Sequence, residues 1–170
     1  MRLEHLKDCY PHEGHDVLAK LEQVGKLHFV ATQNVDGFHR MAGNQNVAEL
    51  HGNIHQVRCQ HCGQFATEKD FIEKLSCSSC GGKLRPGVVL FGEFLPEKVW
   101  EAALKAIQRA QLVIVIGTSL QVSPVNQLPS LTTGKKVYLN LEVDGGNNFD
   151  LVIKGSAKRL LTELEKQLNL

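Results

Sequence analysis

Four cysteines carry the clearest chemistry in the chain. Cys59-Gln60-His61-Cys62 and Cys77-Ser78-Ser79-Cys80 are two C-x2-C pairs, and fourteen residues separate them. Glycine follows each pair, at Gly63 and Gly81, where a small residue lets backbone N–H groups approach the thiolates. Four sulfurs at this spacing suit a closed tetrahedral zinc site. Two disulfides or a redox pair are the alternatives. His61 inside the first pair offers another ligand, although Cys59, Cys62, Cys77 and Cys80 already complete a set of four. A closed site has no open coordination position, so this zinc would be a staple and not a catalyst. Cys9 stands outside both pairs.

A second group of polar residues follows apolar runs. Gln33, Asn34 and Asp36 come after Leu27–Thr32, Gly117-Thr118-Ser119 after Leu112–Ile116, and Asn140 after Lys136–Leu139. Ligands of open α/β sheets bind beyond the carboxyl ends of the strands. There glycine permits close backbone approach, and hydroxyls reach phosphate or ribose oxygens. Each residue alone also reads as a turn former. His51 lies between Leu50 and Gly52, with Glu49 nearby; a neutral imidazole serves as a general base near neutral pH. Eight histidines are present, so most are expected on the surface or in packing. His15 falls in a helical pattern, with a surface or capping role.

These residues need elements to position them. Val17, Leu18, Leu21 and Val24 recur at helical spacing over Glu13–Val24, and Gly25 would stop that helix. Leu27–Thr32 reads as a mostly buried strand. Pro96 opens a helix whose apolar face is Val99, Ala102, Ala103, Ala106, Ile107 and Ala110. The continuous run Leu112–Ile116 suits a parallel strand covered on both faces. Lys136–Leu139 and Leu151–Ile153 are further strands, and Ser156 would cap a last helix with stripe Leu160, Leu161, Leu164 and Leu168. The alternation predicts an α/β fold: an incomplete Rossmann-like parallel sheet with a small four-cysteine zinc-ribbon module. The core would comprise residues 1–57 and 87–170, and the module residues 58–86. The module has too little apolar content for a core of its own, so metal binding would stand in for one.

The chain has 170 residues, 42% of them hydrophobic and 22% charged, with 19 basic against 18 acidic side chains and a net charge of +1. That composition is globular, and the balance argues against a nucleic-acid partner. The longest aliphatic run is five residues, Leu112–Ile116, far short of the roughly 20 needed to cross a bilayer. The first residues lack an apolar core of signal-peptide length, which makes the cytoplasm the expected location.

These pieces, in this order, resemble the sirtuins, the NAD-dependent protein-lysine deacylases. The matching strings are Thr32-Gln33-Asn34-Val35-Asp36-Gly37-Phe38-His39, Ala42-Gly43, Glu49-Leu50-His51-Gly52 and the two cysteine pairs. Then come Leu84-Arg85-Pro86-Gly87-Val88-Val89-Leu90-Phe91-Gly92-Glu93, Leu95-Pro96, Gly117-Thr118-Ser119-Leu120-Gln121-Val122-Ser123-Pro124 and Leu139-Asn140. So many ordered matches are specific. The resemblance implies NAD and zinc as cofactors and an acyl-lysine protein or peptide as substrate. It implies nicotinamide, deacylated lysine and O-acyl-ADP-ribose as products. His51 would be the base acting on a ribose hydroxyl, with Asn34 and Asp36 beside it in the catalytic group. Gln33, Asn34 and Asp36 would line the nicotinamide and ribose pocket. Gly117, Thr118 and Ser119 would meet phosphate and ribose, and Asn140 the adenosine ribose. Val89, Phe91 and Gly92 would form part of the acyl-lysine cleft, where a peptide adds as a strand.

The family's opening strand, its Gly-Ala-Gly-x-Ser loop and its Asp-Phe-Arg string do not occur in this sequence. The expectation is an N-terminally truncated member. Its Leu112–Ile116 stripe would be partly exposed, open to a complementing chain or to self-association. The alternative reading is a catalytically incomplete, zinc-stabilised fragment acting as a protein-binding module. The Gly- and Asn-rich segment 144–148 would hold the adenine end loosely.

Overall fold

The computed structural model describes residues 8–143 and 148–170. Most of the Asp144–Asn148 segment lies outside these described residues. Helix α1 spans Glu13–Gln23, within one residue of the sequence reading. Two histidines build its start. The His12 ring accepts from the Gly14 N–H at 3.0 Å, and the His15 ring accepts from the His12 N–H at 3.2 Å. These bonds satisfy donors that the first turn leaves free. His15 is buried, so it caps the helix and does not sit on its surface.

Strand β1 (Val30–Thr32) pairs in parallel with β2 (Val47–Glu49), and the short helix α2 (Phe38–Met41) connects them. Strand β3 (Gly52–Cys59) forms an antiparallel sheet with β4 (Phe65–Ala66) and β5 (Leu84–Val88), with α3 (Glu68–Ile72) beside it. Helix α4 (Glu97–Arg109) leads into β6 (Leu112–Ile116). A 3-10 segment, Val125–Leu131, precedes β7 (Lys135–Asn140); β8 (Leu151–Lys154) and α5 (Ala157–Leu168) follow. The order β6-β7-β8 is parallel throughout. Ser156 precedes α5 as expected, but its side chain makes no capping bond.

Among the described residues the parallel strands therefore fall into two sheets, β1-β2 and β6-β7-β8. Two apolar cores hold them. One joins Ala48 and Leu50 to Ala103 of α4 and to Val125 and Leu128, with Phe29, Val99 and Trp100 against it. The other joins Val17 and Leu21 of α1 to Leu161 of α5, with Ile116 packed on it. Leu112, Ile114 and Ile116 share one strand face. Only Ile116 reaches the second core, so Leu112 and Ile114 stay 52% and 41% exposed. Coverage of β6 on both faces is thus not realised. β1 likewise has no fully buried residue, because its edge away from β2 has no strand partner.

α1 meets α2 through aromatic rings. His15 packs edge-on against His39 at 4.9 Å and Phe38 at 5.8 Å, and His12 lies 4.2 Å from His15. Burial, followed by the neighbouring His15 charge, lowers the His39 pKa from 6.5 to about 4, although Asp36 opposes the shift. Burial and His12 lower His15 in the same direction, against Asp36 and Asp16. Between about pH 6.5 and 4 the unfolded chain takes up a proton that folded His39 refuses. This contribution is whole above about 6.5 and is lost as pH falls toward 4. The thermal midpoint should fall over that window, with a shallower slope in His39→Asn. A wild-type slope in that variant would assign the effect to another group.

Candidate functional site

The site forms where β1 and β6 end, beside the start of β3. After β1 the backbone turns at Asp36, whose carboxylate accepts from the Phe38 N–H at 3.0 Å and fixes the entry to α2. The Ile54 N–H donates to the Val35 carbonyl at 2.8 Å, so this turn is tied to β3. Gln33 lies at the centre. Its carbonyl accepts from His51 Nδ1 at 3.2 Å, and its Nε2 donates to Thr118 Oγ1 at 3.3 Å. A carbonyl can only accept, so His51 carries its proton on Nδ1, and Nε2 keeps a lone pair for a base role.

His51 sits on a corner that only glycine allows. Gly52 has φ +77°, and a Cβ there would lie 2.0 Å from the Gly87 carbonyl. The resulting close approach lets the Val89 N–H donate to the His51 carbonyl at 2.8 Å. Around the corner, Asn53 Nδ2 donates to Glu49 Oε1 at 2.6 Å, and Glu49 faces Arg40 at 3.7 Å. Beyond Val89 the segment is braced by Arg85, which holds Glu93 through Nη1 and Nη2 and donates from Nη2 to the Val88 carbonyl at 2.8 Å. Arg85, with the Leu90 N–H, lowers the Glu93 carboxyl to about 2. Phe91 and Phe94 project fully into solvent from this braced segment.

After β6, Gly117 turns with φ +64° and has open space around it. The Thr118 carbonyl accepts from Tyr138 Oη at 2.8 Å and from Asn140 Nδ2 at 3.1 Å. Asn140 Nδ2 also donates to Tyr138 Oη, and its Oδ1 accepts from the Leu141 N–H. Hydrogen bonds thus join Gln33, His51, Thr118 and Asn140 directly, and a backbone bond adds Val89. Asn34, Ser119, Phe91 and Gly92 are exposed. Sequence reasoning missed Tyr138, Glu49, Asn53 and the Arg85–Glu93 brace. A phenol between the aliphatic Val137 and Leu139 is the signal for Tyr138; the others depend on contacts between elements.

The cysteine sulfurs converge. All four Sγ atoms lie within 4.8 Å of one another, with Cys59–Cys80 at 3.6 Å and Cys62–Cys77 at 3.7 Å. A disulfide is about 2.05 Å long, so these pairs are not bridged. Thiolates about 2.3 Å from a tetrahedral zinc lie about 3.8 Å apart, which matches the observed spacing. Backbone N–H groups, Cys62 first, lower the Cys59 thiol and favour the thiolate that a metal needs.

Together these features define a class: a Rossmann-like parallel α/β protein with a hydrogen-bonded polar cluster at its strand ends and a four-thiol module. Comparison with known proteins narrows this. The Sir2 family pattern matches residues 1–124. The NAD-dependent protein deacetylase 1 of Geobacillus kaustophilus is 44% identical over 172 residues, covering 98% of this chain and 71% of that protein. The NAD-dependent protein deacetylase of Oceanobacillus iheyensis is 44% identical over 128 residues, 75% of this chain and 54% of its own length. Among solved structures, Sir2 with a p53 peptide and NAD+ superposes with a TM-score of 0.92 at 33% identity, covering 97% of this chain and 73% of that one. Sir2 bound to acetylated peptide gives 0.93 at 32% identity, over 98% and 74%. The chain belongs to the Sir2 family. No described helix is long and apolar enough to cross a membrane.

Proposed function

We propose that the chain acts as an NAD-dependent protein-lysine deacetylase, releasing nicotinamide, deacylated lysine and O-acyl-ADP-ribose, with structural zinc on Cys59, Cys62, Cys77 and Cys80. The carrying observation is the single hydrogen-bonded line His51–Gln33–Thr118 across the ends of β1 and β6. The donor set supports the cofactor: the open Gly117 turn, the Thr118 hydroxyl and the Gln33 amide belong to one hydrogen-bonded group, and Ser119 and Asn34 are exposed next to them in the chain. Bound NAD would supply the anomeric carbon for the acyl oxygen and the nicotinamide leaving group. His51 Nε2 accepts the proton of a ribose hydroxyl, because Nδ1 is held by Gln33. Asn34 and Asp36 shape the pocket beside it. Asn140 serves the adenosine end by holding the Thr118 carbonyl. Val89, Phe91 and Gly92 line the acyl-lysine cleft, and an extended peptide joins there by main-chain bonds. The metal is a staple and takes no part in proton transfer.

A second reading is favoured by the exposed Leu112 and Ile114 on β6. Here the chain is a protein-binding module whose exposed sheet face takes a strand of another chain or a second copy. One assay separates the two. The zinc-loaded chain is given NAD and an acetyl-lysine peptide, and both deacetylated peptide and O-acetyl-ADP-ribose are followed by mass spectrometry. Both products in equal amounts support the enzyme. A folded chain that makes neither leaves the binding module.

A further inference from the structure

Tyr138 is the bulkiest fully buried side chain among the described residues, at 1% exposure. It lies on β7 opposite Val115 of β6, and its ring stacks on Phe149 at 5.1 Å. Phenylalanine would fill the same space, so packing alone does not call for the hydroxyl. That hydroxyl donates to the Thr118 carbonyl and accepts from Asn140 Nδ2, both at 2.8 Å. A buried phenol with donor and acceptor both used is a built contact.

What it holds is a strained turn. Gly117 has φ +64°, and Leu120, which is not glycine, has φ +57°. An L-residue keeps that conformation only where its surroundings impose it. Thr118 is gripped at both ends. Its hydroxyl accepts from the Leu120 N–H at 3.2 Å and from Gln33 Nε2, while its carbonyl is gripped by Tyr138 and Asn140. Gln33 in turn holds His51.

We propose that Tyr138 is a positioning residue: its hydroxyl clamps the Thr118 carbonyl and sets the Gly117–Leu120 turn in the shape that receives the cofactor. The cofactor part of this rests on the NAD reading above. Losing the hydroxyl leaves Asn140 as the only clamp on the Thr118 carbonyl among the described residues, and the turn then samples shapes that do not bind.

The test is Tyr138→Phe in the full zinc-loaded chain. NAD affinity is measured by titration calorimetry, KM for NAD and for acetyl-lysine peptide by steady-state kinetics, and Leu120 amide exchange by NMR. Loss of one such bond should raise the Kd and KM for NAD about 10-fold. Peptide KM should stay within about twofold, and the Leu120 amide should exchange faster, since local opening sets that rate. A lower thermal midpoint with unchanged NAD affinity would mark a purely structural role and overturn the proposal. If the wild-type chain takes up no NAD, the cofactor reading fails. Leu120 exchange then decides the clamp alone: faster exchange in Tyr138→Phe upholds it, and unchanged exchange overturns it.

Discussion

His51→Ala is expected to lower turnover of an acetyl-lysine peptide by about 10²- to 10⁴-fold, the range for removing a positioned general base. The ring is half-buried and donates from Nδ1 to the Gln33 carbonyl. Its removal therefore deletes the proposed base without opening a core. NAD uptake should persist, because the Gly117–Leu120 turn is held through Thr118 by Gln33, Tyr138 and Asn140 and not by His51. The measurement is kcat/KM with calorimetric NAD binding and the thermal midpoint beside it. Turnover within threefold of wild type would remove His51 from the chemistry. A collapsed midpoint would show that the imidazole supports the Gly52 corner; His51→Gln, which retains a polar side chain there, would then separate folding from catalysis.

Stripping the metal should have the other large effect. A structural zinc contributes about 10–16 kcal/mol of apparent binding energy, comparable to the about 5–15 kcal/mol that holds a whole domain. Apart from Ile54 and Val57 of β3, the apolar side chains of the β3-β4-β5 unit are at best half-buried. Phe65, Ile72 and Leu75 are 71%, 40% and 49% exposed, and Cys59 and Cys77 are themselves among its buried residues. Chelation, or Cys59→Ser, should unpair β5 from β3. Because Val88 pairs with Gly52 and Val89 bonds to His51, the damage reaches the His51 corner directly. The check is one zinc per chain by native mass spectrometry, then circular dichroism and thermal melting with and without chelator. A fully stripped chain with an unchanged melt would show that the antiparallel sheet supports itself and that the cysteines are dispensable to folding.

Much of this architecture was legible in local pattern. Helices α1 and α4 follow from apolar spacing with Gly25 and Pro96 at their ends. Strand β6 is a continuous aliphatic run, and β7 and β8 differ from their expected limits by one or two residues. β2, β3 and β5 were not legible. β3 reads Gly-Asn-Ile-His-Gln-Val-Arg-Cys, with a register shift between Asn53 and Val57 that interrupts alternation. β5 contains both Pro86 and Gly87, residues that disfavour strands and are tolerated here against β3.

By itself the sequence determined the four-cysteine ligand set, because such a set depends on residue type and spacing. It also determined which polar residues follow which strands, and the ordered strings that mark the Sir2 family. The tertiary structure decided what those residues do to one another. Gln33 and Thr118 are 85 positions apart, and only the approach of two strand ends makes them partners. The choice of Nδ1 on His51, the close contact of Gly52 with Gly87, and the buried hydroxyl of Tyr138 against Thr118 are all long-range. Hydrogen bonds act over about 3 Å, and chain spacing does not encode such distances across separate elements.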